Sequence, residues 1–296
     1  MSVPPHWEIL HESVRGPGKA HNQDWYDVDD TVDGTLVLAV ADGHGSAAHA
    51  RSGLGARYAV DVFLHRGREF AARARDSGDL RQLHRDASGR VPREIVRDWR
   101  DRVERHVRKE PLDGVPKGGE LLAYGTTLLG AVLVPGLLVA WQLGDGDLML
   151  VEADGRIRAP LAPAEPELGD ETESLCGRQA WDLMRVHWAP VSDPARLPRL
   201  LTLSTDGLSK SFAAQDGFVQ FVREVDERLA AEGAEPIREA LPGWLNHAGS
   251  YSGDDTTAVA VWRRPDDAGP SEGGPEAVPS EDGPQDQDQD RGTESD

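Results

Sequence analysis

From Leu121 to Gly144 the chain carries no charged residue. An uncharged stretch of this length matches a helix that crosses a bilayer. Its content does not. Gly125, Thr126, Thr127 and Gly130 dilute it, and Pro135-Gly136 falls in its middle. A Pro-Gly pair between two β-rich apolar runs is a turn signal. The stretch therefore predicts two buried strands, Thr126–Val134 and Leu137–Leu143, joined as a hairpin, and no membrane span.

Other apolar runs fall into the same short-strand pattern. Trp7–Val14 is a mixed strand, followed by a Gly- and Pro-rich loop over Gly16–Trp25. Leu36–Ala41 reads LVLAVA, a buried strand that ends in Asp42-Gly43-His44-Gly45. Ser46 is placed to cap a helix running to about His65. Arg66–Lys109 is a polar connector leading into an amphipathic, Arg-rich helix on which Ile95, Trp99 and Val103 recur at helical spacing. Its acids are interleaved with its bases, as on a solvated helix face. Further strands are expected at Leu148–Glu152, Leu200–Ser204 and Thr256–Trp262, with a tight turn at Asp154-Gly155. Residues 160–180 read as a long loop or flap. Two late helices are expected, at about Gly217–Ala231 and Pro236–Asn246. Many short strands and two pairs of helices in one block indicate an α+β domain, with antiparallel sheets and helices on their outer faces.

Charge sets limits on partners. The 296 residues hold 32 Lys+Arg against 52 Asp+Glu, a net charge of −20. That argues against a general nucleic-acid binder and against docking on anionic lipid. Half of the excess lies in residues 265–296, where Arg291 is the one base and no apolar pattern survives. Such a segment cannot bury enough surface to offset its ordering entropy, so the expected division is a folded domain over 1–264 and an acidic, disordered tail over 265–296. The single cysteine, Cys176, excludes an intrachain disulfide and fits a cytoplasmic setting. The first residues lack the pattern of a secretory signal.

The aspartates carry the chemical information. Asp42, Asp145, Asp206 and Asp254 each border a buried apolar strand beside glycine, and Asp24 lies just upstream. Taken singly, an Asp-Gly at a strand end is a turn. Asp145-Gly146-Asp147 alone would equally suit a hairpin corner or the metal-binding pair of a sugar-transfer enzyme. Gathered at one end of a sheet, these carboxylates repel one another unless a cation neutralises them. Oxygen-only donors select hard ions such as Mg²⁺ or Mn²⁺. Ser174, Ser204 and Cys176 lie in no nucleophile elbow or Cys-x5-Arg loop, and no Walker-type Gly-Lys-Thr is present.

In order along the chain, Asn22-Gln23-Asp24, Asp42-Gly43-His44-Gly45, Gly125-Thr126-Thr127, Gly144-Asp145, Ser204-Thr205-Asp206-Gly207-Leu208 and Asp254-Asp255-Thr256-Thr257 resemble the successive motifs of the metal-dependent type 2C protein phosphatases. The resemblance runs from about residue 10 to residue 263. It implies an αββα sandwich of two antiparallel sheets flanked by helix pairs, with metals at one end. It implies hydrolysis of phosphoserine and phosphothreonine in proteins by a hydroxide activated at a dinuclear Mn²⁺ or Mg²⁺ site. Asp42 would bridge both ions, Gly43 would lend its carbonyl to the second, and Asp206 and Asp254 would complete the first. Asp24 would serve the second ion, and Asp145 would lie near an optional third. His44 would be the general acid. The implied partners are a phosphoprotein substrate and a cognate Ser/Thr kinase, with the enzyme a monomer. Two residues depart from the family pattern. Lys19 stands where the family often has a phosphate-holding Arg, with Arg15 nearby, and Gln23 stands where many relatives have Glu. These departures leave room for a catalytically silent relative that binds phosphoproteins as a regulator. A metal-dependent phosphohydrolase acting on a small molecule is the remote third reading.

Overall fold

The computed structural model describes residues 7–30, 34–112, 115, 119–162, 173–193 and 196–264. Its strands are β1 (Glu8–Val14), β2 (Trp25–Asp30), β3 (Leu36–Ala41), β4 (Leu128–Val134), β5 (Leu137–Leu143), β6 (Asp147–Val151), β7 (Ile157–Arg158), β8 (Arg185–Pro190), β9 (Leu200–Ser204) and β10 (Thr256–Trp262). Its α-helices are α1 (Ser52–Asp76), α2 (Leu80–Arg85), α3 (Val91–Lys109), α4 (Ala180–Leu183), α5 (Asp206–Ser209), α6 (Gln215–Glu232) and α7 (Ala234–Ser252). Two five-stranded sheets form, in the orders β1-β10-β9-β6-β7 and β2-β3-β4-β5-β8. Every strand pairing is antiparallel.

The unbroken apolar strands follow from burial on both faces. Along β3, Leu36, Leu38 and Val40 meet Leu201, Leu203, Val259 and Val261 of the other sheet. The alternate residues, Val37, Ala39 and Ala41, meet Val60, Phe63 and Trp99 of α1 and α3. On the far side of the first sheet, Met149, Val151 and Leu200 pack with Phe218 and Val222 of α6 and Leu245 of α7. Three apolar layers therefore separate four structural layers, and this is the expected αββα sandwich. Successive side chains of a strand point to opposite faces, so a middle strand of such a stack has no face left for polar residues.

Pro135-Gly136 turns the chain between β4 and β5, with Gly136 at φ +86°. The uncharged stretch thus becomes a core hairpin, and no described helix is long and apolar enough to cross a membrane. The first long helix departs from expectation at both ends. Ser46 precedes only a short 3-10 turn, Ala47–His49, without a side-chain cap, and α1 begins at Ser52. It then runs past His65 through the expected connector to Asp76. The polar run Arg66-Gly67-Arg68-Glu69 is helical because Gly67 lets α1 approach the sheet: a Cβ there would lie 2.4 Å from Val37 Cγ1. Beyond it, Phe70 and Ala71 extend the buried face. On α3 the apolar stripe packs inward. Its charges are largely paired, Arg102 with Asp61 of α1 at 2.7 Å and Asp98 with Arg66 of α1. Strands β2, β7 and β8 and the short helices α2, α4 and α5 have no counterpart in the sequence reading. Residues 163–172 of the expected flap and the acidic segment 265–296 lie outside the described residues.

Trp141 anchors the second sheet to its helices. It is buried, donates from Nε1 to the Ala87 carbonyl at 2.8 Å, and meets Phe63 and Phe70 edge-on. Trp141→Ala is expected to destabilise the domain by about 3–5 kcal/mol, read as a lower midpoint in urea denaturation.

Candidate metal centre

Antiparallel pairing brings the strand-end aspartates together. Trp25, just after Asp24, pairs with Ala41, just before Asp42. Ser204, two residues before Asp206, pairs with Asp147 on one side and Ala258 on the other. Asp24, Asp42, Asp145 and Asp254, on loops, and Asp206, at the start of α5, therefore sit at one end of the sandwich. Asp42, Asp206 and Asp254 each offer a carboxylate oxygen, and these atoms lie within 4.8 Å of one another.

The loops are held by hydrogen bonds from threonines. The Asp42 carbonyl accepts from the Thr126 hydroxyl at 2.8 Å and the Thr127 amide at 2.9 Å, and its own amide donates to the Thr127 hydroxyl at 3.0 Å. The Thr205 hydroxyl donates to Asp24 Oδ2 at 2.7 Å and accepts the Thr257 amide at 3.0 Å. Glycine is required where loops touch: a Cβ on Gly43 would lie 2.7 Å from the Gln23 carbonyl oxygen, and one on Gly207 would lie 2.0 Å from that of Asp255.

A sequence model of the protein phosphatase 2C family matches residues 17–246. The chain belongs to that family. As a member it is a metal-dependent protein-serine/threonine phosphatase. Among curated proteins, none matches it in sequence. Solved structures share the fold at low identity. The serine/threonine phosphatase PstP/Ppp of Mycobacterium tuberculosis is 17% identical, with a TM-score of 0.58 over 87% of this chain and 99% of that one. The catalytic domain of PstP in complex with two manganese ions is 17% identical, with a TM-score of 0.57 over 87% of this chain and 98% of that one. Stp1 of Staphylococcus aureus is 14% identical, with a TM-score of 0.55 over 88% of this chain and 97% of that one.

The residues of this phosphatase fit a hard divalent cation. Asp24 Oδ1 and Asp206 Oδ1 are buried without a hydrogen-bond partner. Two orphaned anionic oxygens beside an all-carboxylate cluster form a donor set for Mg²⁺ or Mn²⁺. Protonation shows the same need for positive charge. Burial pushes the Asp24 carboxyl up to about 7, with Asp255 and Asp206 adding to the shift and the threonine hydroxyls opposing it. Burial, then the Asp145 charge, pushes Asp206 up to about 6 against the pull of Lys210. Burial, then Asp24, Asp206 and Asp254, holds Asp42 well above the carboxylate range.

Around this cluster the other singled-out residues take distinct places. Lys19 ion-pairs with Asp254 and with Asp255, the latter at 3.3 Å. Burial disfavours its charge, but the two carboxylates outweigh burial and raise it above an ordinary lysine. Arg15 is exposed and donates to the Ala20 carbonyl at 3.2 Å. Gln23 serves as a tie, its amide donating to Asp255 Oδ2 at 2.8 Å and its side chain to Ser52 Oγ at 2.6 Å. Asp255 turns both oxygens to the Gly16–Gln23 loop, accepting from the Gly16 amide at 2.8 Å, while Asp254 joins the cluster. The half-buried His44 ring lies 4.8 Å from that of His49. Burial, then His49, lowers its pKa, and the Asp145 charge opposes them. One participant was missed in the sequence. Lys210, one turn beyond Asp206, pairs with Asp206 and with Asp145, the latter at 3.4 Å. A lone Lys after a short helix carries no signal by itself.

These shifts have a sign. Unfolded, Asp24 and Asp206 titrate near 3.8, and folded near 7 and 6. Between those values the ion-free native state binds more protons than the unfolded chain, so its stability falls as pH rises. Thermal melts in EDTA are expected to drop in midpoint from about pH 4 to pH 7, and saturating Mn²⁺ is expected to remove the decline above pH 6. Equal midpoints across that range in EDTA would contradict the assignment.

Proposed function

We propose that this phosphatase removes phosphate from phosphoserine and phosphothreonine through the loop cluster at the end of its sandwich. The observation that carries the reading is the convergence of Asp42, Asp206 and Asp254, with buried, unpartnered oxygens on Asp206 and on the adjacent Asp24, in a member of the protein phosphatase 2C family. In this reading Asp42, Asp206 and Asp254 hold one divalent ion, and Asp24, Asp42 and the Gly43 carbonyl serve a second. When bound, such ions, Mn²⁺ or Mg²⁺, supply the Lewis-acid charge that acidifies water and offsets the charge of the transferring phosphoryl group.

The chain's own side chains do the rest. As a P–O bond to water forms and the bond to the serine oxygen breaks, an imidazole nitrogen of protonated His44 gives its proton to the departing oxygen. Asp145 opposes the burial that would strip His44 of that proton. Lys19 is held on Asp254 and Asp255, and its ammonium would turn to the substrate phosphate were Asp254 engaged in holding a metal ion. Arg15, on the same loop, is the second phosphate-facing cation. The proposal extends to a catalytic domain over 1–264 with an appended acidic tail, acting as a cytoplasmic monomer against a cognate Ser/Thr kinase. The lone thiol, Cys176, suits a reducing compartment.

Asp206→Asn is expected to abolish Mn²⁺-dependent release of phosphate from a phosphopeptide. A wild-type chain with no metal-dependent turnover would instead select the silent regulator. His44→Ala is expected to lower kcat on the phosphopeptide about 10²- to 10⁴-fold. It should matter far less for p-nitrophenyl phosphate, whose leaving group departs without a proton. An equal loss on both substrates in steady-state kinetics would remove His44 from the general-acid role.

A further inference from the structure

Asp206 divides its two oxygens. Oδ2 pairs with Lys210, while Oδ1 is buried without a partner beside the metal-holding cluster. The same ammonium reaches Asp145 Oδ2 at 3.4 Å. Its charge also acts on Asp147, whose carboxyl burial raises, which the Ser209 hydroxyl and Lys210 oppose, and to which Asp145 adds its repulsion. Two carboxylates, Asp145 and Asp206, thus pair with one lysine. The backbone of that lysine is held one turn from Asp206: its amide donates to the Asp206 carbonyl at 2.8 Å, closing the turn of α5. Among the described residues, the one acidic group whose oxygens approach closely enough to hold an ion is Asp42, Asp206 and Asp254, and neither Asp145 nor Asp147 joins it.

We infer that Lys210 is a built-in cation, standing between Asp145 and Asp206 where an additional divalent ion would otherwise be held, so that the chain binds two ions rather than three. The inference rests on the dinuclear reading above and concerns the optional third ion expected at Asp145. An ammonium is a compact charge on a flexible stem, suited to bridging carboxylates without a fixed coordination geometry. It neutralises the outer oxygen of Asp206 and leaves the inner one for the cluster. A divalent ion at Asp145 would have to displace it against like-charge repulsion. The Lys210 side chain is itself half-exposed, so its pairing matters here for the positive charge it places between Asp145 and Asp206 and not for the stability it adds.

The test is a count of bound Mn²⁺ on the full chain, by calorimetric titration and by metal analysis after equilibrium dialysis. It compares wild type with Lys210→Asp and Lys210→Gln, with circular dichroism to confirm that each variant is folded. Lys210→Gln keeps the length of the side chain and removes only its charge, so it serves if Lys210→Asp fails to fold. Wild type is expected to bind two ions. A folded variant should bind one more, and Asp145→Asn added to that variant should abolish the gain. Three ions on wild type, or two on every folded variant, would overturn the role of Lys210 while leaving the dinuclear centre intact. Fewer than two on wild type would overturn both.

Discussion

Carboxylates drawn out of water repel one another, and everything at the open end of this sandwich answers that repulsion. Asp24 and Asp206 are buried, and Asp42 is half-buried beside them. Burial is the first cause of each raised pKa, and mutual charge follows. Two lysines lean in from the rim, Lys19 on Asp254 and Lys210 on Asp206. Hard cations do the same job at higher charge, and a site that needs them for electrostatic balance is also one that can acidify water. Metal affinity and catalytic competence thus share one origin.

That concentration of like charge is tolerable because the frame beneath it does not yield. Each central strand is packed on both faces, so its end cannot swing without opening two apolar layers. Thr126, Thr127, Thr205 and Thr257 tie the loops above to that frame through hydroxyl and amide bonds. Thr205 and Thr257 also lower the cost of burying Asp24 by hydrogen bonding to its carboxylate.

What the sequence disclosed follows the same division. Strands β3, β4, β5, β9 and β10 are legible because burial on both faces leaves uninterrupted apolar runs. Strands β2 and β8 are not, since WYDVDD and RVHWAP sit at sheet edges with half-exposed, charged residues and show no such run. Helix α1 reads too short in the sequence because Arg66-Gly67-Arg68-Glu69 looks like a linker until the sheet that Gly67 approaches is known. Asp42, Asp206 and Asp254 stand out because each borders an apolar run beside glycine. The expectation at Asp254 rather than Asp255 rests on the family motif; in the fold Asp255 accepts from loop amides, while Asp254 lies with Asp42 and Asp206. Lys210 and the tying role of Gln23 depend on residues far away in the chain, and no local pattern announces them.

Strand β10 lies between β1 and β9, so the middle of one sheet is filled by the last strand of the described fold. The loop that feeds it carries Asp254. A growing polypeptide emerging from the ribosome can therefore shape the opposite sheet and its helices early, yet has no finished cluster until its final strand slides into place. Asp254 is thus the last of the clustered carboxylates to be synthesised, and a chain stopped before it lacks the full set.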